Sequence, residues 1–228
     1  MLTRTARSLS LAILAFLISA SAGAHSTGRY FTSGAPPEPK CDSCHAAAAP
    51  GNPGTLSVLA PPVYTPGATY EIQVTLTGAH DQLGAAPVRW GFDITALDIA
   101  TQGAGTFAPR GPEVQTILGT LPPAYAGRPH GTHTSCAIGS CPQIGGSPGW
   151  SLDWTAPAVD VGDIVFYATA NAANGNGFST GDAAFSTTQQ MISPSGPSPV
   201  PSLGWPAVFV LAATIGITAL RVQSRPAR

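Results

Sequence analysis

Apolar residues recur at every second position through most of the middle of the chain. Tyr70, Ile72, Val74 and Leu76 alternate with polar neighbours, as do Val88, Trp90, Phe92, Ile94 and Ala96. Trp150, Leu152 and Trp154 repeat the pattern, and so do Ile164, Phe166, Ala168 and Ala170. A period of two sends successive side chains to opposite faces of an extended strand, so each run predicts a strand with one buried face. Leu56 to Leu59, Glu113 to Leu118 and Ala184 to Gln190 are shorter strand candidates. Turn-forming residues separate these runs: Pro66-Gly67, Gly103-Ala104-Gly105, Pro122-Pro123, Pro148-Gly149, Asn174-Gly175 and Asn176-Gly177. Short strands with no helical period predict an all-β domain, an antiparallel β-sandwich spanning residues 55–192. Trp90, Trp150 and Trp154 fall on the inward phase and are expected in the core rather than on a carbohydrate-binding platform. The Asn-Gly pairs are explained by tight turns, which need positive φ, more simply than by calcium.

The two ends break this pattern. Arg4 and Arg7 form a basic start, Leu9 to Ile18 an apolar run too short to span a bilayer, and Ala22-Gly23-Ala24 a small-residue cleavage site. That order is a secretory leader, residues 1–24, whose removal leaves His25 first; Ala20-Ser21-Ala22 is an equally legal site. Residues 193–202 (SPSGPSPVPS) make a stiff, Pro/Ser-rich linker. Leu203 to Leu220 then run apolar without a charge, and Arg221, Arg225 and Arg228 follow in the basic tail, residues 221–228. A helix over 203–220 would extend roughly 27 Å, enough to cross a thin hydrocarbon core. The arginines would stay cytoplasmic, which places residues 25–192 outside the membrane that anchors them.

Charge narrows the partners. All 11 acidic residues lie between 25 and 192, with only Arg29, Lys40, Arg89, Arg110 and Arg128 as basic counterparts. An acidic exported domain repels phosphate backbones, which argues against nucleic acid as a partner.

Candidate chemistry concentrates in Cys41-Asp42-Ser43-Cys44-His45. Two thiols at C-x-x-C-H spacing can add to the vinyl groups of a haem while the adjacent imidazole ligates its iron. Such attachment takes place after export, which the leader provides. Cys41, Cys44 and His45 are therefore expected to hold a covalent haem c on an N-terminal arm, residues 25–54. The competing reading is a Cys41–Cys44 disulfide in an oxidising compartment. Zinc fits less well, because no second C-x-x-C supplies further ligands. The sixth position on the iron has five candidates, His25, His80, His130, His133 and Met191, or stays open. An N-terminal His25 could also take copper through its amine and ring, but no second ligand is marked. Cys136 and Cys141 are expected to close a surface loop as a structural disulfide rather than act as a redox pair. No Ser-His-Asp order, catalytic carboxylate pair or phosphate loop is evident, so catalysis is unsupported.

Several segments carry a family resemblance. Gly28-Arg29-Tyr30, Thr32-Ser33-Gly34-Ala35-Pro36 and then CDSCH are followed by Tyr64-Thr65-Pro66-Gly67 and Gly91-Phe92-Asp93-Ile94-Thr95-Ala96-Leu97-Asp98. Ala104-Gly105-Thr106-Phe107, His133-Thr134-Ser135, Trp154-Thr155-Ala156-Pro157 and the Phe166 to Asp182 stretch complete the order. This succession resembles the bacterial reelin-like domains of the choice-of-anchor V family. The resemblance implies an immunoglobulin-like sandwich on an exported protein. It also makes His133, in the family's His-Thr motif on the loop before the Trp150 strand, the first choice for sixth ligand. Val200-Pro201-Ser202-Leu203, the apolar run and the arginines resemble a tripartite sorting signal, departing from the Ile-Pro-Thr-Leu type in their first residues.

Two functions from different classes follow. One is an exported, membrane-anchored monohaem c-type cytochrome-like protein of the periplasm or cell surface, passing electrons to a redox protein partner. The other is an extracellular adhesion or interaction module in which the cysteines are structural and no haem is bound.

Overall fold

The computed structural model of the protein describes residues 25–119, 123–134 and 148–195. The leader, the apolar segment 203–220, the basic tail and both Cys136 and Cys141 lie outside the described residues. Among the described residues, no helix is long and apolar enough to cross a membrane.

The chain folds into two sheets. The first contains β1 (Ala46–Ala47), β4 (Arg89–Asp98), β6 (Val114–Leu118), β7 (Pro129–His133), β9 (Ile164–Ala173) and β10 (Ala183–Met191), in the order β1-β10-β9-β4-β7-β6. The second contains β2 (Thr55–Leu59), β3 (Thr69–Thr77), β5 (Thr106–Pro109) and β8 (Gly149–Thr155), in the order β2-β3-β8-β5. Pairing is antiparallel except between β1 and β10, which run parallel with Ala46 opposite Ala183.

The period-two runs face one another across a single core. Ile72, Val74, Leu76, Trp150, Leu152 and Trp154 from one sheet meet Phe92, Ile94, Phe166, Ala168 and Ala170 from the other. Phe92 stacks on Trp150 with centroids 4.5 Å apart, and Trp154 meets Phe166 edge-on at 5.1 Å. Trp90, Trp150 and Trp154 are buried, as their phase predicted. Val88 is not: it precedes β4 and is exposed. β5 and β7 go beyond the periodic runs. β7 reads Pro-His-Gly-Thr-His with its first four residues buried, and it shows no apolar alternation because its core-side position is Gly131, packed against Leu152 and Ile94. His133 is consequently the last residue of β7 and not a loop residue.

The arm of residues 25–54 is packed on the sheet rather than extended from it. Its cover explains why the outward residues Asp93 and Thr95 of β4 and Thr169 and Asn171 of β9 are also buried.

Candidate functional site

The CDSCH segment opens with a turn of 3-10 helix at Cys41–Ser43, in which the N–H groups of Cys44 and His45 both donate to the Cys41 carbonyl at 3.2 and 3.0 Å. The chain then enters β1. Because Ala46 lies opposite Ala183 in a parallel pair, the preceding residues His45 and Asp182 become neighbours. His45 Nδ1 is 2.9 Å from Asp182 Oδ2. The Asp182 carboxylate is buried and is itself held, accepting from the Asn174 N–H at 2.9 Å and from Asn171 Nδ2 at 3.3 Å. The carboxylate contact favours the tautomer with the proton on Nδ1 and the lone pair on Nε2, while the Asn171 amide nitrogen lies 3.3 Å from the same Nδ1. This is the arrangement in which a histidine ligates a metal through Nε2 with its other nitrogen held by a carboxylate.

Both Cys41 and Cys44 are free thiols. Cys41 Sγ donates to Thr169 Oγ1 at 3.2 Å, and Thr169 donates on to the Thr32 carbonyl at 2.7 Å. Burial pushes the Cys41 thiol up to about 12. Redox-active dithiols need a lowered pKa, so the environment is the reverse of a disulfide-exchange site. Cys44 is exposed, with Arg29 Nη1 3.8 Å from its sulfur.

Cys41, Cys44 and His45 share one cleft of about 440 Å³ with Trp90 and Phe92 of β4, His133 of β7 and Phe178 of the β9–β10 loop. The volume lies in the range of roughly 300 to 1,000 Å³ usual for cofactor clefts. Arg29, Lys40 and Arg89 add positive charge to its wall.

Of the five candidate axial residues, two reach this cleft: His25 and His133. Met191 is buried in the core between the sheets, and the backbone of His80 pairs with Asn52 away from the cleft. His130 is fully buried in an ionic cluster instead, with Nδ1 3.1 Å from Asp93 Oδ1 and Nε2 3.4 Å from Glu38 Oε1. His133 Nδ1 lies 3.2 Å from the Phe92 N–H, 3.4 Å from the Phe92 carbonyl and 3.5 Å from Thr132 Oγ1, and its ring also bonds the His25 backbone. Burial lowers the His133 pKa. Its ring lies against Gly91, where a Cβ would come within 2.6 Å of Cε1, so this β4 position must be glycine to leave the ring its place.

The His130 cluster fastens the arm. Glu38 accepts from Arg128 Nη1 at 2.7 Å and Ser33 Oγ at 2.6 Å, while Arg128 Nη2 also donates to the carbonyls of Pro36 and Thr101. Asp93 Oδ2 accepts from the Thr32 N–H at 2.7 Å. Burial opposes a charged imidazole, but Asp93 and Glu38 outweigh it and raise His130 to about 9. Burial likewise works against Glu38, yet bonds from His130, Ser33 and Arg128 hold its pKa below the usual carboxylate value. Donor atoms of Glu38, Asp93 and His130 lie within 4.8 Å of one another, a spacing a metal could use. Arg128 already supplies the neutralising cation there. The cluster therefore reads as two buried cations balanced by two carboxylates, linking the arm to β4 and β7. Neither Asp182 nor this cluster was marked by sequence; the signal lay in a lone Asp just before a strand and in acidic and basic residues set within apolar runs.

The fold and the site define a two-sheet β-protein that presents a C-x-x-C-H segment on a partly apolar cleft. No family model matches the chain, and no curated protein matches it. Among solved structures the chain is similar to the Reelin-N domain of F-spondin, at 18% identity and a TM-score of 0.39 over 67% of this chain and 94% of that one. It is similar to a human F-spondin reeler domain, at 18% identity and a TM-score of 0.37 over 65% and 91%. A cohesin module from a Clostridium perfringens family 33 glycoside hydrolase gives 10% identity and a TM-score of 0.44 over 62% and 97%.

Proposed function

We propose that the protein is an exported, membrane-anchored c-type haem protein that carries single electrons to a redox protein partner. The observation that supports this most strongly is His45: its Nδ1 faces the buried Asp182 carboxylate at 2.9 Å, which favours the tautomer with Nε2 available at the C-x-x-C-H spacing. The donor set suits a haem. Cys41 and Cys44 would hold the macrocycle by thioethers, His45 would bind the iron, and Gly91, His133 and Phe178 would border it. Arg29, Lys40 and Arg89 would offset the propionate charges. Bound there, the haem would supply one-electron ferric–ferrous chemistry. The chain's own part is to hold the imidazole in one orientation and keep the arm on the sheet through Glu38, Arg128, His130 and Asp93. The leader and the apolar, Arg-ended tail support export and anchoring; the reelin-like resemblance adds an immunoglobulin-like scaffold.

The test is expression with a haem-maturation system. The reduced protein should show the absorption bands of a covalent haem, and a Cys41→Ser/Cys44→Ser variant should lose them. A colourless wild-type protein with Cys41 and Cys44 joined to each other would return the reading to an interaction module with structural cysteines.

A further inference from the structure

We propose that the end of the sandwich opposite the C-x-x-C-H cleft docks onto a lipid bilayer surface, and that this contact turns the cleft toward the aqueous side. The inference goes beyond the haem reading and rests only on the membrane anchoring proposed with it.

Strand direction defines the two ends. Arg89 at the start of β4, Ala173 at the end of β9 and Asp182 just before β10 border the cleft. The opposite termini of the same strands meet at the far end, where Asp98 lies across from Ile164 and Ile164 across from Met191. β4 has 10 residues, so roughly 33 Å of strand separates the two ends.

Five exposed apolar side chains gather at the far end: Leu59 closes β2, Val63 pairs with Ile192 beyond β10, Ile99 follows β4, and Val159 lies between β8 and β9. A polar knot ties their segments together. The Tyr64 hydroxyl is 2.8 Å from both Asp160 Oδ1 and the Gly162 carbonyl, and Ser193 Oγ donates to Asp160 Oδ2 at 2.8 Å. Ile99 Cδ1 lies 3.9 Å from where a Cβ on Gly162 would stand. Leu59, Ile99 and Val159 are 66, 76 and 66% exposed. Side chains this exposed suit insertion among lipid headgroups, whereas a protein partner would have to supply a matching pocket for each.

Charge agrees with an apolar contact. Residues 59–64, 98–102, 156–163 and 190–193 contain no Lys or Arg. Their carboxylates serve internal partners: Asp98 accepts from the Ala100 and Gln102 N–H groups, and Asp163 from Gln190 Nε2 and the Ser193 N–H. Docking therefore does not depend on anionic headgroups, which repel an acidic domain.

Chain length favours this end. Residues 196–202 separate the described domain from the apolar run, and fully extended they reach roughly 25 Å, less than the length of β4. Because β10 ends at the far end, an anchor at 203–220 keeps that end, and not the cleft, beside the bilayer.

The test mixes the full chain with phosphatidylcholine liposomes. Resistance to alkaline carbonate extraction reports anchoring. Lipid adducts formed on illumination by p-benzoylphenylalanine in place of Val159 report docking, and neither readout depends on haem. The control places the same photoreactive residue at Leu83, which is 84% exposed at the cleft end, where the Gln82 N–H bonds the Gly181 carbonyl. Intact mass should show roughly tenfold more lipid adduct at 159 than at 83, and adding Ile99→Ser should cut the yield at 159 severalfold. Adding phosphatidylglycerol should leave that yield unchanged or lower it. Equal yields at the two positions, no adduct in an anchored chain, adducts to a second copy of the chain, or a yield that rises with phosphatidylglycerol each overturns the docking and leaves the anchoring intact. A chain that carbonate extracts but that still forms adducts at 159 overturns the anchoring and leaves the docking. A chain that does neither overturns both.

Discussion

Replacing Glu38 with Gln tests how the arm is held. The Glu38 carboxylate is buried and takes bonds from Arg128 at 2.7 Å and Ser33 at 2.6 Å, with His130 Nε2 3.4 Å away. The amide keeps the shape and removes the charge, leaving Arg128 and His130 as two buried cations facing Asp93 alone. Breaking a buried pair by removing one partner costs about 3 to 5 kcal/mol, most of it the price of the charge left uncompensated. In a domain of this size that corresponds to a fall of roughly 10 °C in Tm. Urea denaturation of the exported protein should give the free-energy change, and hydrogen exchange should locate it, with protection lost first at residues 31–45. Adding Arg128→Met to Glu38→Gln should recover part of the loss, since the pair is removed together. A loss below about 1 kcal/mol with arm protection unchanged would refute the view that this cluster is what fastens the C-x-x-C-H segment.

The same cluster gives the stability a signed pH dependence. His130 is raised from 6.5 to about 9, so its contribution is complete below pH 6.5 and is lost as the pH rises through about 9. The shift amounts to about 3 kcal/mol across that window, and urea midpoints flat or rising from pH 6.5 to 9 would contradict it. Asp182→Asn should retain covalent haem but weaken the hold on His45 by about 1.5 to 3 kcal/mol. Its reduction potential should rise, because the imidazole becomes a poorer donor to ferric iron; redox titration giving the wild-type potential would count against the role of Asp182.

Much of the architecture could be read from residue order. β3, β4, β8 and β9 were legible because each has one face on the core and so alternates. β7 was not, because its core-side position is Gly131, packed against Leu152 and Ile94 with no apolar side chain to show the phase, while His130 and Thr132 on its other face are polar. The CDSCH segment could be singled out because it is local, five consecutive residues whose spacing alone suggests a chemistry. Asp182 was not, since it lies 137 residues from His45 and meets it only through the parallel register of β1 on β10. His133 borders the same cleft as the CDSCH segment, a meeting that spacing along the chain does not show because it depends on the pairing of β7 with β4.

Haem attachment is tested most directly by the intact mass of the exported ectodomain after acid-acetone extraction. The mass should exceed that of the apo chain by one haem, and digestion should place the addition on the peptide containing Cys41 and Cys44. An apo mass under maturation conditions, with the two cysteines joined by a disulfide, would contradict the proposal that this cleft holds a haem.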